Sequence, residues 1–220
     1  MDIANTNESN IYNFGTQNIP KVSGKIHTIT IIGHIEGHTV ASPQNKATKY
    51  EHIIPQLVAV EENPNVEGML VILNTVGGDV EAGLAISELI NSLSKPTVSL
   101  VLGGSHSIGV PLATSGDYSF IAPTATMTIH PIRMTGLVIG IPQTFKYFSK
   151  MQDRIIDFIV RTSTISRQKI LELMNSTDEL ANDVGSILIG EEAVEYGLIN
   201  QVGGLDKAML KLHELIELKE

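Results

Sequence analysis

A serine and a histidine in this chain have neighbours that suit nucleophilic chemistry. Ser107 lies in the segment Gly-Gly-Ser-His-Ser-Ile-Gly at residues 103–109, and His130 follows a short apolar run and precedes Pro131. A histidine can accept the proton of a serine hydroxyl and later return it to a leaving amine. The two residues therefore predict a serine nucleophile with His130 as its general base.

A second glycine pair, Gly77 and Gly78, lies upstream within Asn-Thr-Val-Gly-Gly-Asp at residues 74–79. Glycines allow a backbone to approach a ligand closely, so amides here could stabilise a developing oxyanion. The stretch from Gly78 through Asp79 to Val80 could also pair, as a strand edge, with an extended peptide. A tight turn from strand to helix would need the same glycines, and the lysine spacing of a phosphate-binding loop is absent.

Structural roles compete with these assignments. Ser107 could be an ordinary N-cap of the helix predicted after it, and His130 could merely form a hydrogen bond at a strand end. Ser105 is a local competitor as nucleophile but lies inside the predicted turn. An acid that orients His130 should come from later in the chain. Asp183 is the candidate, although an isolated aspartate also suits a turn.

Composition bounds the class of protein. The chain has 220 residues, of which 42% are hydrophobic and 18% charged, with a net charge of -9 and no cysteine. These values predict a globular, cytoplasmic chain without disulfides, and they argue against general binding of nucleic acid. We expect no membrane span and no secretory signal, because the apolar runs have only strand length and the first residues carry no basic region. No ligand spacing supports a metal at His34, His38 and His52, and no cofactor is expected.

Strands alternate with helices along the chain, which predicts an α/β fold with a parallel sheet and right-handed crossovers. Ligands of such sheets bind beyond the carboxyl ends of the strands, where both glycine pairs fall. Residues 1–24 are polar and predict a flexible arm, and residues 25–220 predict a single domain. The predicted strands are 28–32, 69–73, 97–102 and 126–129, with a loop at 33–45, and the predicted helices are 50–62, 80–93, 107–114, 143–162, 167–174, 191–196 and 206–218.

These motifs together resemble the Clp protease proteolytic subunit family, within the wider Clp/crotonase fold. The resemblance covers about residues 26–204 and keeps order and spacing throughout. It rests on the glycine pair followed by Ala-Gly-Leu-Ala-Ile at 82–86, the Gly-x-x-x-Ser-x-Gly block around Ser107, Met-Thr-Ile-His-Pro at 127–131, and Glu-Glu-Ala-Val-Glu-Tyr-Gly-Leu-Ile at 191–199.

The resemblance implies a serine peptidase built from repeated β-β-α units. In the family's pattern Ser107 is the nucleophile, His130 is the base, and the amides of Gly77 and Ile108 form the oxyanion hole. It also implies homo-oligomeric rings that cleave unfolded peptides, and a helix at 143–162 that protrudes as a handle and stacks two rings face to face. Because the chain has no ATP-binding loop, digestion of folded proteins would need a separate AAA+ unfoldase. An apolar stripe along the predicted handle suits such an interface: Phe145, Phe148, Met151, Ile155 and Phe158.

Two departures from the family's pattern bear on activity. Val76 stands where the family usually has a proline, and the family's spacing would place the catalytic aspartate at Gly185. Asp183 becomes the third member of the triad only if the chain carries a two-residue insertion after it. The motifs at 74–79 and 136–140 resemble, in addition, a divergent translocation-enhancing branch of the family.

Three rival functions stay open. A ring that binds unfolded peptides without cleaving them could assist protein export. An acyl-CoA enzyme of the crotonase branch would also use paired amides, but often with carboxylates where this chain has Ser107 and His130. A serine–lysine peptidase would need a lysine near Ser107, whereas Lys146 and Lys150 lie on the predicted handle helix.

Overall fold

A computed structural model describes residues 25–42, 44–133, 138–177 and 184–219. The predicted N-terminal arm, residues 1–24, lies outside this range. The strands are β1 (Ile26–Glu36), β2 (Ala47–Lys49), β3 (Gly68–Gly78), β4 (Thr97–Ser105), β5 (Tyr118–Ile121), β6 (Thr126–Ile129), β7 (Ser186–Ile189) and β8 (Gln201–Val202). The helices are α1 (Tyr50–Glu62), α2 (Val80–Ser92), α3 (Gly109–Thr114), α4 (Ile141–Thr162), α5 (Arg167–Met174), α6 (Glu191–Glu195) and α7 (Leu205–Glu217).

Six strands form one sheet in the order β2-β1-β3-β4-β5-β8, and every neighbouring pair is parallel. β6 leaves this path, because it pairs with β4 at the single position Gly104–Thr126 and forms an antiparallel ribbon with β7. Parallel strands bring their carboxyl ends to one edge, so the ends of β3, β4 and β6 lie near each other. The predicted α/β fold with a parallel sheet is confirmed.

Helices cover both faces of this sheet. On one face α7 places Leu212 and Ile216 in a small core with Leu70 and Phe120. The larger core on the opposite face combines strand residues such as Leu73 with residues of the helices α1 to α6. Burial on both faces explains why β3 and β4 have continuous apolar runs rather than alternating patterns.

Three strands run further than their apolar sequences predict, and one of them, β4, continues past residue 102 to Ser105. β1 continues through Gly33, whose φ of 79° accompanies a register shift rather than an end of the strand. The loop predicted at residues 33–45 therefore begins only after Glu36. β3 continues to Gly78, so the glycine pair is the end of the strand itself. Pairing with neighbouring strands extends all three, and no local pattern contains that information.

The handle helix α4 is attached to the domain along only part of its length. Phe145 in its first half is 74% exposed, whereas Met151, Ile155 and Phe158 are buried. The predicted apolar stripe is therefore divided between solvent and core, and the helix protrudes as the family resemblance implies. α4 has 22 residues, but no helix within the described ranges is long and apolar enough to cross a membrane.

His27 is a half-buried imidazole with no place in the predicted chemistry. It lies on the same face of β1 as Ile29 and Ile31, and within the described residues its buried Nε2 has no hydrogen-bond partner. Burial lowers the pKa of His27, because desolvation costs the charged form more than the neutral form.

We expect His27→Leu to stabilise the fold and to weaken its response to acid. A lowered pKa means that His27 binds more protons in the unfolded chain than in the folded chain. The contribution of the neutral His27 to stability is therefore present above the unfolded pKa of about 6.5 and is lost as the pH falls through the folded pKa. The substitution also removes the buried Nε2, and leaving such an atom without a hydrogen-bond partner costs about 1–3 kcal/mol of stability. Thermal melts from about pH 8 to about pH 5 measure both effects. His52→Leu, at an exposed position of α1, should not reproduce the gain in stability, and parallel curves for wild type and His27→Leu would contradict the expectation.

Candidate active site

Ser107 lies in the turn between β4 and α3, with its backbone in the left-handed region. Its φ is 59°, a conformation that costs a non-glycine residue about 1–3 kcal/mol and that clusters at functional sites. The Ser107 amide holds the turn by donating to the carbonyl oxygen of Thr128 at 2.8 Å. The N-cap of α3 is Ile108, so the alternative that Ser107 caps this helix is wrong.

Ser107 and His130 line the same cavity, which has a volume of about 160 Å³. Gly78, Val80 and Ile108 also line it, so the structure brings these five predicted site residues together. The cavity lies where the ends of β3, β4 and β6 face the buried half of α4. Apolar side chains form much of the remaining wall: Val110, Ile132, Ile155, Ile159 and Met174.

His130 follows β6 and is half-buried, with its Nδ1 2.7 Å from the carbonyl oxygen of Pro131. A carbonyl oxygen can only accept a hydrogen bond, so Nδ1 must be the donor, and Nε2 is the unprotonated nitrogen of the neutral ring. A general base requires this tautomer, because Nε2 then has a lone pair for the serine proton. The residue after the histidine thus orients the imidazole.

Gly77 allows the end of β3 to press against the serine turn. A Cβ at this position would lie 2.8 Å from the Cβ of Ser107 and 2.6 Å from the carbonyl oxygen of His106. The Gly77 amide donates to Oγ1 of Thr75 at 3.0 Å. The amide predicted for the oxyanion hole is therefore engaged within the strand end, and the glycine of the pair that lines the cavity is Gly78.

The other candidates from the sequence have structural roles or lie outside the described residues. Ser105 is fully buried and its hydroxyl donates to the carbonyl oxygen of Gly109 at 2.6 Å, which leaves it unsuited as a nucleophile. Asp79 caps α2, because its Oδ1 accepts from the Ala82 amide at 2.8 Å. Asp183 lies outside the described residues, so its role stays a prediction. In the part of the chain that the structure describes, no group of three or more His, Cys, Asp or Glu could hold a metal ion.

His106 joins the serine turn to the strand that leads to His130, a contact that the sequence patterns did not indicate. Its Nδ1 lies 2.6 Å from Oγ1 of Thr128, on the strand that precedes His130. Burial lowers the pKa of His106, and the charge of the neighbouring His130 lowers it further. The sequence offered one signal, the position next to Ser107, but a contact with a residue on another strand has no local pattern.

Comparison with known sequences assigns this chain to a family. The sequence profile of the family described as Clp protease matches residues 24–205. The chain therefore belongs to the Clp protease family, and the resemblance inferred from the serine, histidine and glycine motifs is confirmed.

Relatives at two levels of similarity match this chain. The Translocation-enhancing protein TepA of Halalkalibacterium halodurans is 62% identical over 208 residues, which cover 94% of this chain and 81% of TepA. The ATP-dependent Clp protease proteolytic subunits of Leuconostoc citreum and Streptococcus sanguinis are 29% and 28% identical over 161 and 155 residues. These alignments cover 68% of this chain and 74% and 76% of the two subunits. The predicted resemblance to the translocation-enhancing branch is also confirmed.

Proposed function

We propose that this chain is a serine endopeptidase of the Clp proteolytic-subunit type, which cleaves peptides or unfolded polypeptides through an acyl-enzyme. The observation that carries the proposal is the cavity shared by Ser107 and His130, in which Nδ1 of His130 donates and Nε2 is free to accept a proton. The left-handed backbone of Ser107 supports it, because a strained residue must be held in place by its surroundings and such residues cluster at active sites.

The proposed chemistry follows from the groups that line the cavity. Nε2 of His130 takes the hydroxyl proton as Oγ of Ser107 bonds to the carbonyl carbon of the peptide. The amides of Gly78 and Ile108 stabilise the oxyanion, and the Ile108 amide has no hydrogen-bond partner among the described residues. The histidine then protonates the leaving amine as the C–N bond breaks, and water hydrolyses the acyl-enzyme in the reverse sequence. Asp183 is the proposed third member, which would stabilise the imidazolium.

The wall of the cavity favours an apolar side chain beside the cleaved bond. Ile132, Ile155 and Met174 lie on this wall, and burial of a side chain the size of leucine contributes about 1.5–3 kcal/mol. We propose that the peptide backbone runs along the strand edge from Gly78 to Val80, at the end of β3. The side chain of Asp79 caps α2, so this residue would contact a peptide through its backbone.

We propose that the chain works in the cytoplasm as a homo-oligomeric ring, with rings stacked through the exposed half of α4. The exposed Phe145 supports this assembly, because aromatic side chains are enriched in interfaces. The names of the distant relatives, which are ATP-dependent proteolytic subunits, support an AAA+ unfoldase as the partner that delivers folded substrates. The absence of cysteine is compatible with the cytoplasm.

One observation favours a second function. The relative that is 62% identical is named a translocation-enhancing protein. In this second function a ring binds unfolded peptides and assists their export without substantial cleavage. The same strand edge and apolar cavity would serve, but the serine would not need to be activated.

Labelling with a fluorophosphonate probe separates the two functions. We expect one covalent adduct, located on Ser107 by peptide mapping and absent from Ser107→Ala, because phosphonylation requires an activated hydroxyl. Ser105→Ala is the matched control and should label like the wild type, since the Ser105 hydroxyl is buried and donates to a carbonyl. A folded protein that takes up no probe would contradict the peptidase and favour the peptide-binding function.

A further inference from the structure

β6 leads directly to His130, yet only a few bonds attach it to the serine turn. It pairs with β4 at one register position, and its other strand partner is β7. Two further bonds converge on Thr128, two residues before the histidine. The carbonyl oxygen of Thr128 accepts from the Ser107 amide at 2.8 Å, and its Oγ1 lies 2.6 Å from Nδ1 of His106.

We propose that His106 is a positioning residue, and that its bond to Thr128 fixes the separation between Ser107 and His130. His106 directly precedes the nucleophile and Thr128 belongs to the strand before the base, so one side-chain bond joins the two halves of the site. This inference rests on the proposed function, because the separation matters for catalysis only if Ser107 and His130 exchange a proton. Misplacement of reacting groups by about 1 Å can cost on the order of 100-fold in rate.

The surrounding backbone is shaped to accept this imidazole. A Cβ on Gly104 would lie 2.3 Å from Nε2 of His106, so the imidazole could not keep its place beside a side chain at position 104. Oγ1 of Thr126 lies 3.5 Å from the same Nε2, which makes the bond through Nδ1 the closer of the two. Burial lowers the pKa of His106, which favours the neutral ring, with one nitrogen as donor and the other as acceptor.

Substitutions at both ends of the bond test the inference through the labelling rate of Ser107. We expect His106→Ala and Thr128→Val to lower the maximal rate of fluorophosphonate labelling about 10- to 100-fold, with little change in the probe concentration at half-saturation. The labelling rate of the double variant should be little lower than that of either single variant, because both substitutions remove the same interaction. Thr128→Val keeps the shape of the side chain, so it serves as the test if His106→Ala does not fold.

Two conservative variants distinguish positioning from packing. The side-chain amide of asparagine can reach the place of Nδ1, whereas that of glutamine reaches the place of Nε2. His106→Asn should therefore restore most of the labelling rate, and His106→Gln should not. Thr126→Val removes the hydroxyl 3.5 Å from the ring and is the matched control, with a rate like that of the wild type.

The outcomes separate this inference from the proposed function. If the wild type labels and His106→Ala, His106→Gln and Thr128→Val label at the same rate, the positioning role is overturned and the peptidase stands. If the wild type takes up no probe, the proposed function fails. Hydrogen exchange at the Ser107 amide then tests whether the bond between His106 and Thr128 holds the serine turn in place. Faster exchange in Thr128→Val than in Thr126→Val supports it, and equal exchange overturns it.

Discussion

Ser107→Ala is expected to abolish peptide hydrolysis and to leave the fold intact. Loss of the hydroxyl removes the acyl-enzyme route, which in serine peptidases lowers kcat on the order of 10⁴- to 10⁶-fold. Hydrolysis of a fluorogenic peptide with an apolar residue before the cleaved bond measures the loss, and circular dichroism checks the fold. Turnover within about tenfold of the wild type would rule out Ser107 as the nucleophile.

Ser107→Gly is the matched variant and adds a readout of strain. Glycine adopts the φ of 59° found at this position without steric cost, whereas alanine does not. Both variants should be inactive, and Ser107→Gly should exceed Ser107→Ala in free energy of unfolding by about 1 kcal/mol. Denaturant titrations of the two variants measure the difference. Equal stabilities would show that the left-handed backbone at position 107 stores no strain.

His130→Ala is expected to lose almost as much activity as Ser107→Ala. Among the described residues that line the cavity, His130 is the one imidazole and there is no carboxylate, so no other side chain there can take the serine proton. We expect a fall in kcat on the order of 10⁴-fold or more. Added imidazole should restore part of the activity, because a free base can enter the cavity. His213→Ala, at an exposed position of α7, should retain full activity, and a wild-type rate for His130→Ala would overturn the mechanism.

Comparing the activities of His130→Ala and Asp183→Asn tests whether the Pro131 carbonyl or Asp183 orients the imidazole. The Pro131 carbonyl holds the required tautomer but carries no charge, so it stabilises an imidazolium less than a carboxylate would. We therefore expect Asp183→Asn to lower kcat about 10- to 100-fold. This loss is smaller than the roughly 10⁴-fold loss in kcat found when an aspartate alone sets the tautomer. A loss equal to that of His130→Ala would assign the tautomer to Asp183, and no loss would remove Asp183 from the site.

The types of the longer elements followed from local patterns, because their periodicity reports which face is buried. The bounds predicted for the helices Tyr50–Glu62 and Arg167–Met174 and for the strand Thr126–Ile129 agree with the structure. Four strands were not predicted, because pairing with distant segments rather than a local pattern defines them: β2, β5, β7 and β8. β7 exists through its antiparallel pairing with β6, and that pairing joins segments about 60 residues apart.

The chemistry available to the site was readable from residue types alone. A serine among glycines, a histidine before a proline and an upstream glycine pair already indicated a nucleophile, a base and amide donors, because these functions depend on side-chain chemistry and on backbone freedom. The match of residues 24–205 to the Clp protease family agrees with the peptidase class that these motifs predicted.

Folding decided which atoms of these residues are available. Ser105 and Ser107 are equivalent by residue type. In the structure the buried hydroxyl of Ser105 donates to a carbonyl oxygen, whereas Ser107 lines a cavity. Gly77 and Gly78 are equally permissive, but the amide of Gly77 donates to a threonine. The roles of the Pro131 carbonyl and of His106 likewise depend on hydrogen-bond geometry. The partner of a polar atom is set by distance and direction in three dimensions, and strands brought together from distant parts of the chain determine both.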